Sequence, residues 1–272
     1  MITQSVSHWL QPWKALHLAK LLLLCLIFFS WSFPVHAATH SSVSSRLEDQ
    51  VLQIIREHPD VILESVQAYQ QQKYEQQRQA QQAFLREMKV NPKGMIGESP
   101  ITGAQEQKIV LLEFSDFQCS YCAKVHQRLK QFIATHPREV TLVYKHFPLS
   151  AIHTEAMSAS NAAWAAGQQE KFWQSHDALF TQQDNLGEAL YVATAKKLNL
   201  DLEQFNRDRN GDAAKAAIQQ DISMAEELGI SGTPFFVMNG EVFSGAVQLS
   251  DMEEVLARVS KASGDGVDRP SM

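Results

Sequence analysis

Cysteine is scarce in this chain, with three residues in 272. Cys25 lies in an N-terminal apolar stretch, which leaves Cys119 and Cys122 as a single pair. A closed structural zinc site wants four ligands, and there is no second Cys pair to complete one; Cys119, Cys122 and His126 share a helical face but make only half a site. Long apolar runs are missing too. The longest, Leu21 to Phe33, has 13 residues, short of the roughly 20 that a bilayer-spanning helix needs. Positive charge is in deficit, with 24 Lys and Arg against 30 Asp and Glu. That balance offers no basic footprint for nucleic acid or an anionic membrane surface. Between residues 152 and 228 nothing reads as a strand.

What is present centres on residues 109 to 126. Ile109 to Phe114 is a run of apolar, β-favouring residues, the pattern of a buried strand. Cys119-Ser120-Tyr121-Cys122 follows after a short turn, and Val125, Leu129, Phe132 and Ile133 continue at helical spacing. A cysteine at a helix start meets unpaired backbone N–H groups and the positive end of the helix dipole, which favour thiolate over thiol. The three-residue step puts Cys122 one turn on, within reach of a disulfide with Cys119. A purely structural disulfide would close a loop of only two residues, with little effect on the unfolded chain. A redox-active dithiol fits better, with Cys119 as the exposed nucleophile and Cys122 as the resolving thiol. Glu113, set among apolar residues at the inner end of the strand, would have a raised pKa and could exchange a proton with Cys122.

The chain start reads as a targeting segment. Lys14 and Lys20 precede the apolar run, and Val35-His36-Ala37 offers small residues for cleavage after residue 37. Leu24 before Cys25 does not suit a lipoprotein. Without residues 1–37 the net charge becomes −8 with His neutral, because Lys14 and Lys20 leave and no acid does. The remaining cysteine pair would then work in an oxidising compartment, read here as the bacterial periplasm.

Residues 38–92 read as a helical dimerisation region and linker. Leu47, Val51, Ile54, Val61, Ile62, Val66 and Tyr69 fall at helical spacing around His58-Pro59-Asp60, where Pro59 stops one helix and suits the start of the next. Such a stripe is more than a lone helical hairpin can bury, so homodimerisation through residues 43–70 is expected. Gln67 to Gln82 holds nine Gln and almost no apolar stripe, which predicts an exposed or bridging helix, with disorder as the competing reading. Asn91-Pro92-Lys93-Gly94 breaks the helix.

The main domain is expected over 93–262, followed by a flexible tail at 263–272. Val140 to His146 is a second strand. Helices are predicted over 154–167, 170–181, 186–198, 202–207 and 212–228, as an insert of about 150–230. Pro234 to Met238 and Val242 to Phe243 then form a hairpin across Asn239-Gly240, and 249–259 is a last helix. Met157, Trp164, Phe172, Trp173, Leu179 and Phe180 read as core, and nothing at those positions demands a cofactor. The residues alone leave Thr233-Pro234 open between a cis bond and an ordinary trans proline at a strand start.

Strand, CxxC, helix, strand, helical insert and Thr233-Pro234 before a hairpin resemble an α/β thioredoxin fold with a large helical insertion, preceded here by an N-terminal α-helical region. Glu113-Phe114-Ser115-Asp116-Phe117-x-Cys119-x-x-Cys122 and Lys145-His146-Phe147-Pro148-Leu149 resemble the DsbA-like thiol:disulfide oxidoreductases of the bacterial envelope. The resemblance covers about residues 96 to 260; the N-terminal extension is similar to those of dimeric family members and, in function, resembles that of the dimerising DsbC and DsbG isomerases. It implies thiol–disulfide exchange without cofactor or metal, on exported client proteins that carry cysteines. It also implies a cis-proline loop in which Pro234 faces the CxxC and Thr233 pairs with substrate, with Ser120 and Tyr121 tuning the potential. Tyr121 and Thr233 resemble the isomerase type. An oxidase would be recharged by a DsbB-like membrane partner, and an isomerase kept reduced by a DsbD-like one. A redox-inactive surface or binding protein on a thioredoxin scaffold is the alternative from another class.

Overall fold

A computed structural model describes residues 45–264, so the signal peptide expected at 1–37 and the tail from 265 lie outside the described residues. The chain divides into two compact units, up to Val66 and from Gln67.

In the first unit, helix α1 (Ser45–Glu57) ends before His58, and helix α2 (Pro59–Val90), most of which belongs to the second unit, starts with Pro59 at its first position. Proline is tolerated there because that N–H has no helical partner to lose. Val51, Leu52, Ile54, Ile55, Val61, Ile62, Leu63 and Val66 are all between 40% and 63% exposed.

The second unit is built on a five-stranded sheet in the order β1-β3-β2-β4-β5. Its strands are β1 (Ile101–Gly103), β2 (Ile109–Ser115), β3 (Val140–His146), β4 (Phe235–Met238) and β5 (Glu241–Ser244). β2 and β3 are parallel and every other pairing is antiparallel. Each residue of β2 and β3 is buried, as a central strand covered on both faces requires. Alternation then sorts the side chains. Leu111, Glu113 and Ser115 share one face with Leu142, Tyr144 and Phe236, while Val110, Leu112 and Phe114 share the other with Val143 and Val237.

Helices α3 (Ser120–Thr135) and α9 (Leu249–Gly264) cover the first face through Val125, Leu129, Phe132, Met252, Val255 and Leu256. The insert supplies α4 (Ala156–Gly167), α5 (Phe172–Thr181), α6 (Glu188–Lys197) and α7 (Leu202–Asn210), whose core meets Phe117, Cys122 and Tyr144. Helix α8 (Asp212–Glu227) packs on the second face through Ala225, with Leu228 and Ile230 beyond its end. The helix bounds depart from expectation by a few residues, and α9 continues to Gly264, so the tail does not begin at 263. β1, with three residues and a glycine, carries too short a pattern to be read in advance.

The Gln-rich stretch is the exposed helix its composition predicts: between Gln67 and Gln82 only Glu75 and Gln81 are even partly covered. Burial begins beyond it, in the last turns of α2: Met88 is fully buried, and Phe84 and Leu85 pack beside it on Val110, Val143 and Val237. Gln77 and Gln81 donate to the carbonyls of Glu226 and Leu228, each at 3.0 Å, at the end of α8. The division between the two compact units at Val66/Gln67 thus falls within α2. The last turns of α2 also explain Gly240, at φ +87°: a Cβ there would lie 2.7 Å from the Leu85 carbonyl oxygen. With Asn239 at φ 43°, Asn-Gly forms the tight hairpin turn its sequence predicts.

Candidate active site

Helix α3 begins at Ser120, which makes Cys119 its N-cap, in an extended conformation with no side-chain capping bond. The sulfur therefore stands at the end where unpaired N–H groups and the helix dipole favour negative charge. The Cys119 thiol is pulled down to about 5 from an ordinary 9.0. A hydrogen bond from the Cys122 thiol contributes most; burial opposes it, and the Thr233 hydroxyl and the N–H groups of Cys122 and Tyr121 assist. Cys122, one turn inside and fully buried, is pushed up by burial first and then by the neighbouring Cys119 sulfur. The pair is thus asymmetric, one sulfur ready to ionise and the other kept protonated.

Cys119 is less open than the sequence suggests. Only 6% of its surface is exposed, because the loop before β4 closes over it: its Sγ donates to the Thr233 carbonyl at 3.3 Å. The Thr233–Pro234 peptide is cis. Ser120 and Tyr121 are the exposed flank of the site, with Tyr121 56% accessible and Lys124 Nζ 5.2 Å from its ring centroid.

The turn ahead of the cysteines is held by residues that pattern reading passed over. Asp116, fully buried, accepts from the N–H of Gln118 at 2.7 Å and of Leu149 at 2.9 Å, and its Oδ2 lies 2.7 Å from His153 Nδ1. An Asp bonding two residues on is an Asx turn, a signal available in the sequence. Gln183, from a short 3-10 turn in the insert, donates to the carbonyls of Phe117 and Cys119 at 2.7 and 3.0 Å. Nothing in the sequence marks that contact, 64 residues away.

Behind the pair lies Glu113, 1% exposed, its carboxyl pushed up to about 7 by burial and partly offset by Ser115. Glu113 and Ser115 point the same way along β2, and Glu113 is in register with Tyr144 of β3. Ser115 also bears on Cys122, and Tyr144 feels both Glu113 and Cys122. The buried groups therefore run Cys122, Ser115 and Tyr144, Glu113, and sequence reading found the ends of that series without the middle. Glu113 reaches a cavity of about 360 Å³ beside Thr102, Leu129 and Trp173, which offers its proton a way out of the core. His126, weighed above as a partner of the cysteines, faces Asp177 instead, at 3.4 Å.

A family model for the DSBA-like thioredoxin domain matches residues 110–257. A thioredoxin-like oxidoreductase from Silicibacter pomeroyi DSS-3 is similar at 30% identity and a TM-score of 0.57, over 61% of this chain and 94% of that one. Proteus mirabilis ScsC, in a transitional conformation, shares the fold at 23% identity and a TM-score of 0.57, over 80% of this chain and 97% of that one. The Na(+)/H(+) antiporter NhaA 3 of Salinispora tropica is 32% identical over 170 residues, 62% of this chain but 26% of the antiporter. The chain thus spans about a quarter of the length of such curated relatives. Among the described residues, no helix is long and apolar enough to cross a membrane.

Proposed function

The chain belongs to the DSBA-like thioredoxin domain family, and from that premise we propose that it is a periplasmic thiol:disulfide oxidoreductase that forms or rearranges disulfides in exported proteins. The observation that carries this reading is the asymmetry of the pair: Cys119 lowered to about 5 at a helix N-cap, Cys122 raised in the core. Cys119 Sγ, as thiolate, attacks a client disulfide; one client sulfur leaves as thiolate and takes a proton, and a mixed disulfide forms. Cys122 then gives its proton toward Glu113 through the Ser115 and Tyr144 neighbourhood, attacks Cys119 Sγ and releases the reduced client. Every step reverses, so client oxidation starts from the Cys119–Cys122 disulfide. Thr233 presents its backbone, and Ser120 and Tyr121 their exposed side chains, to the client chain.

A thiolate favoured at Cys119 stabilises the dithiol form and so makes the disulfide a stronger oxidant. That supports the oxidase direction, with a DsbB-like partner. The exposed apolar residues of α1 and the start of α2 support a homodimer through residues 43–70, and two sites gripping one client favour isomerisation, with a DsbD-like partner. Trapping thiols in intact cells tests both. A pair held mostly as disulfide supports oxidase, mostly dithiol supports isomerase, and a pair that never changes state removes the proposal.

A further inference from the structure

Two buried imidazoles near the cavity are not used by the thiol chemistry. His126 on α3 and His176 on α5 are 3% and 4% exposed, with ring centroids 5.0 Å apart. Among the described residues, His126 Nε2 and both ring nitrogens of His176 have no hydrogen-bond partner. Leaving such a nitrogen unpaired in the core is costly, because its lost hydration is not replaced. Aromatic packing against Phe117, Phe172 and Phe180 accounts for the shape of His176, but phenylalanine would supply that shape without buried nitrogens.

The Asp177 carboxylate sits between the two rings. Its Oδ1 is 3.4 Å from His126 Nε2 and 3.6 Å from His176 Nδ1, and its Oδ2 is held by Lys130 Nζ at 2.5 Å. A tetrahedral zinc ion with bonds of about 2.0–2.1 Å to nitrogen and oxygen has ligand–ligand edges of about 3.3–3.4 Å, close to both separations. Each residue can offer one ligand atom with all three inside 4.8 Å of one another. The Lys130 ammonium opposes a cation, yet it engages the oxygen that faces away from the imidazoles and fixes the carboxylate. All three side chains line the cavity of about 360 Å³, which leaves space for a water as fourth ligand.

We propose that His126, His176 and Asp177 form a zinc site whose fourth position opens to the cavity. The site is separate from the cysteine pair and shares the cavity with Glu113. The test uses untagged protein with Cys119 and Cys122 joined as a disulfide, so that no thiolate competes, stripped of metal and titrated with Zn²⁺ by calorimetry. One equivalent should bind saturably. Asp177→Asn and His126→Gln should each weaken it about ten-fold or more, the scale on which site residues control metal affinity. Co²⁺ should give tetrahedral d–d bands, and X-ray absorption a shell of nitrogen and oxygen with two imidazoles. No saturable binding, affinity unchanged in both variants, or sulfur in the metal shell would overturn the proposal. Asp177 is on the cavity rim, 38% exposed, so Asp177→Asn should keep the fold, which circular dichroism checks.

Discussion

The side-chain amide of Gln183 holds the carbonyl of Cys119, 3.0 Å away, and that of Phe117, 2.7 Å away, so one residue of the helical insert clamps both ends of the turn that delivers the nucleophile. Both acceptors belong to backbone that would otherwise lack a side-chain partner so close to the site. The insert is thereby part of the active site's geometry and not merely a lid on the sheet.

Replacing Gln183 with Ala removes two hydrogen bonds, each contributing about 0.5–1.5 kcal/mol. A melting temperature lower by a few degrees is expected, together with a shifted thiolate titration of Cys119 read by absorbance at 240 nm. Gln183→Glu should be worse, since a carboxylate would face two carbonyl oxygens. An unmoved thiolate titration in both variants would make the clamp incidental.

Cys119→Ser should abolish reduction of insulin, while Cys122→Ser should accumulate mixed disulfides with clients, visible on non-reducing gels. Retained turnover in Cys119→Ser would reverse the assignment of the two sulfurs.

Glu113 carries a pH signature. Its folded-state pKa of about 7 lies above an ordinary 4.5, so the native state binds its proton more tightly than the unfolded chain does. That contribution is complete below about 4.5 and is lost as pH rises through 7, a fall of about 3 kcal/mol if the shift is fully expressed. Glu113→Gln should flatten stability over that window in urea melts, and should slow the Cys122-dependent resolution step. A wild-type profile as flat as the variant's would place the carboxylate in contact with water.

Cys119 has the opposite sign. Its thiol is lowered in the folded dithiol form to about 5 from an ordinary 9.0, so its stabilising contribution is complete above the ordinary value and is lost as pH falls through 5. The dithiol form should therefore gain stability over the disulfide form as pH climbs through that window. Paired denaturation curves of the two redox forms would show it, and Thr233→Val should reduce the gain by removing the hydroxyl that favours the thiolate. Redox forms with parallel pH profiles would contradict a lowered thiol.

Removing residues 38–66 should yield a monomer that loses isomerase activity and keeps or gains oxidase activity, because the cut spares Gln77, Gln81 and Met88, which complete the catalytic unit. A cut at 90 should instead lower stability markedly by baring Val110 and Val143. Light scattering settles the first point: a full-length protein that is already monomeric defeats the dimer.

Much of this protein is determined by short-range pattern. An apolar run followed by CxxC and a helical stripe places Cys119 at a helix start, and the isolated charge of Glu113 within that run marks a buried acid, because alternation and helix polarity act within a few residues. The same holds for the Asn239-Gly240 turn. Tertiary structure alone decided what those residues meet. Thr233 closes over Cys119 from 114 residues away, Gln183 grips the turn from the insert, and the parallel register of β2 and β3 sets Tyr144 opposite Glu113. It also turned His126 from the cysteines toward His176 and Asp177, and it tied a polar glutamine helix to the second unit through the amides of Gln77 and Gln81 at the end of α8. No local period encodes such pairings, since they depend on which surfaces the folded chain brings within hydrogen-bond reach.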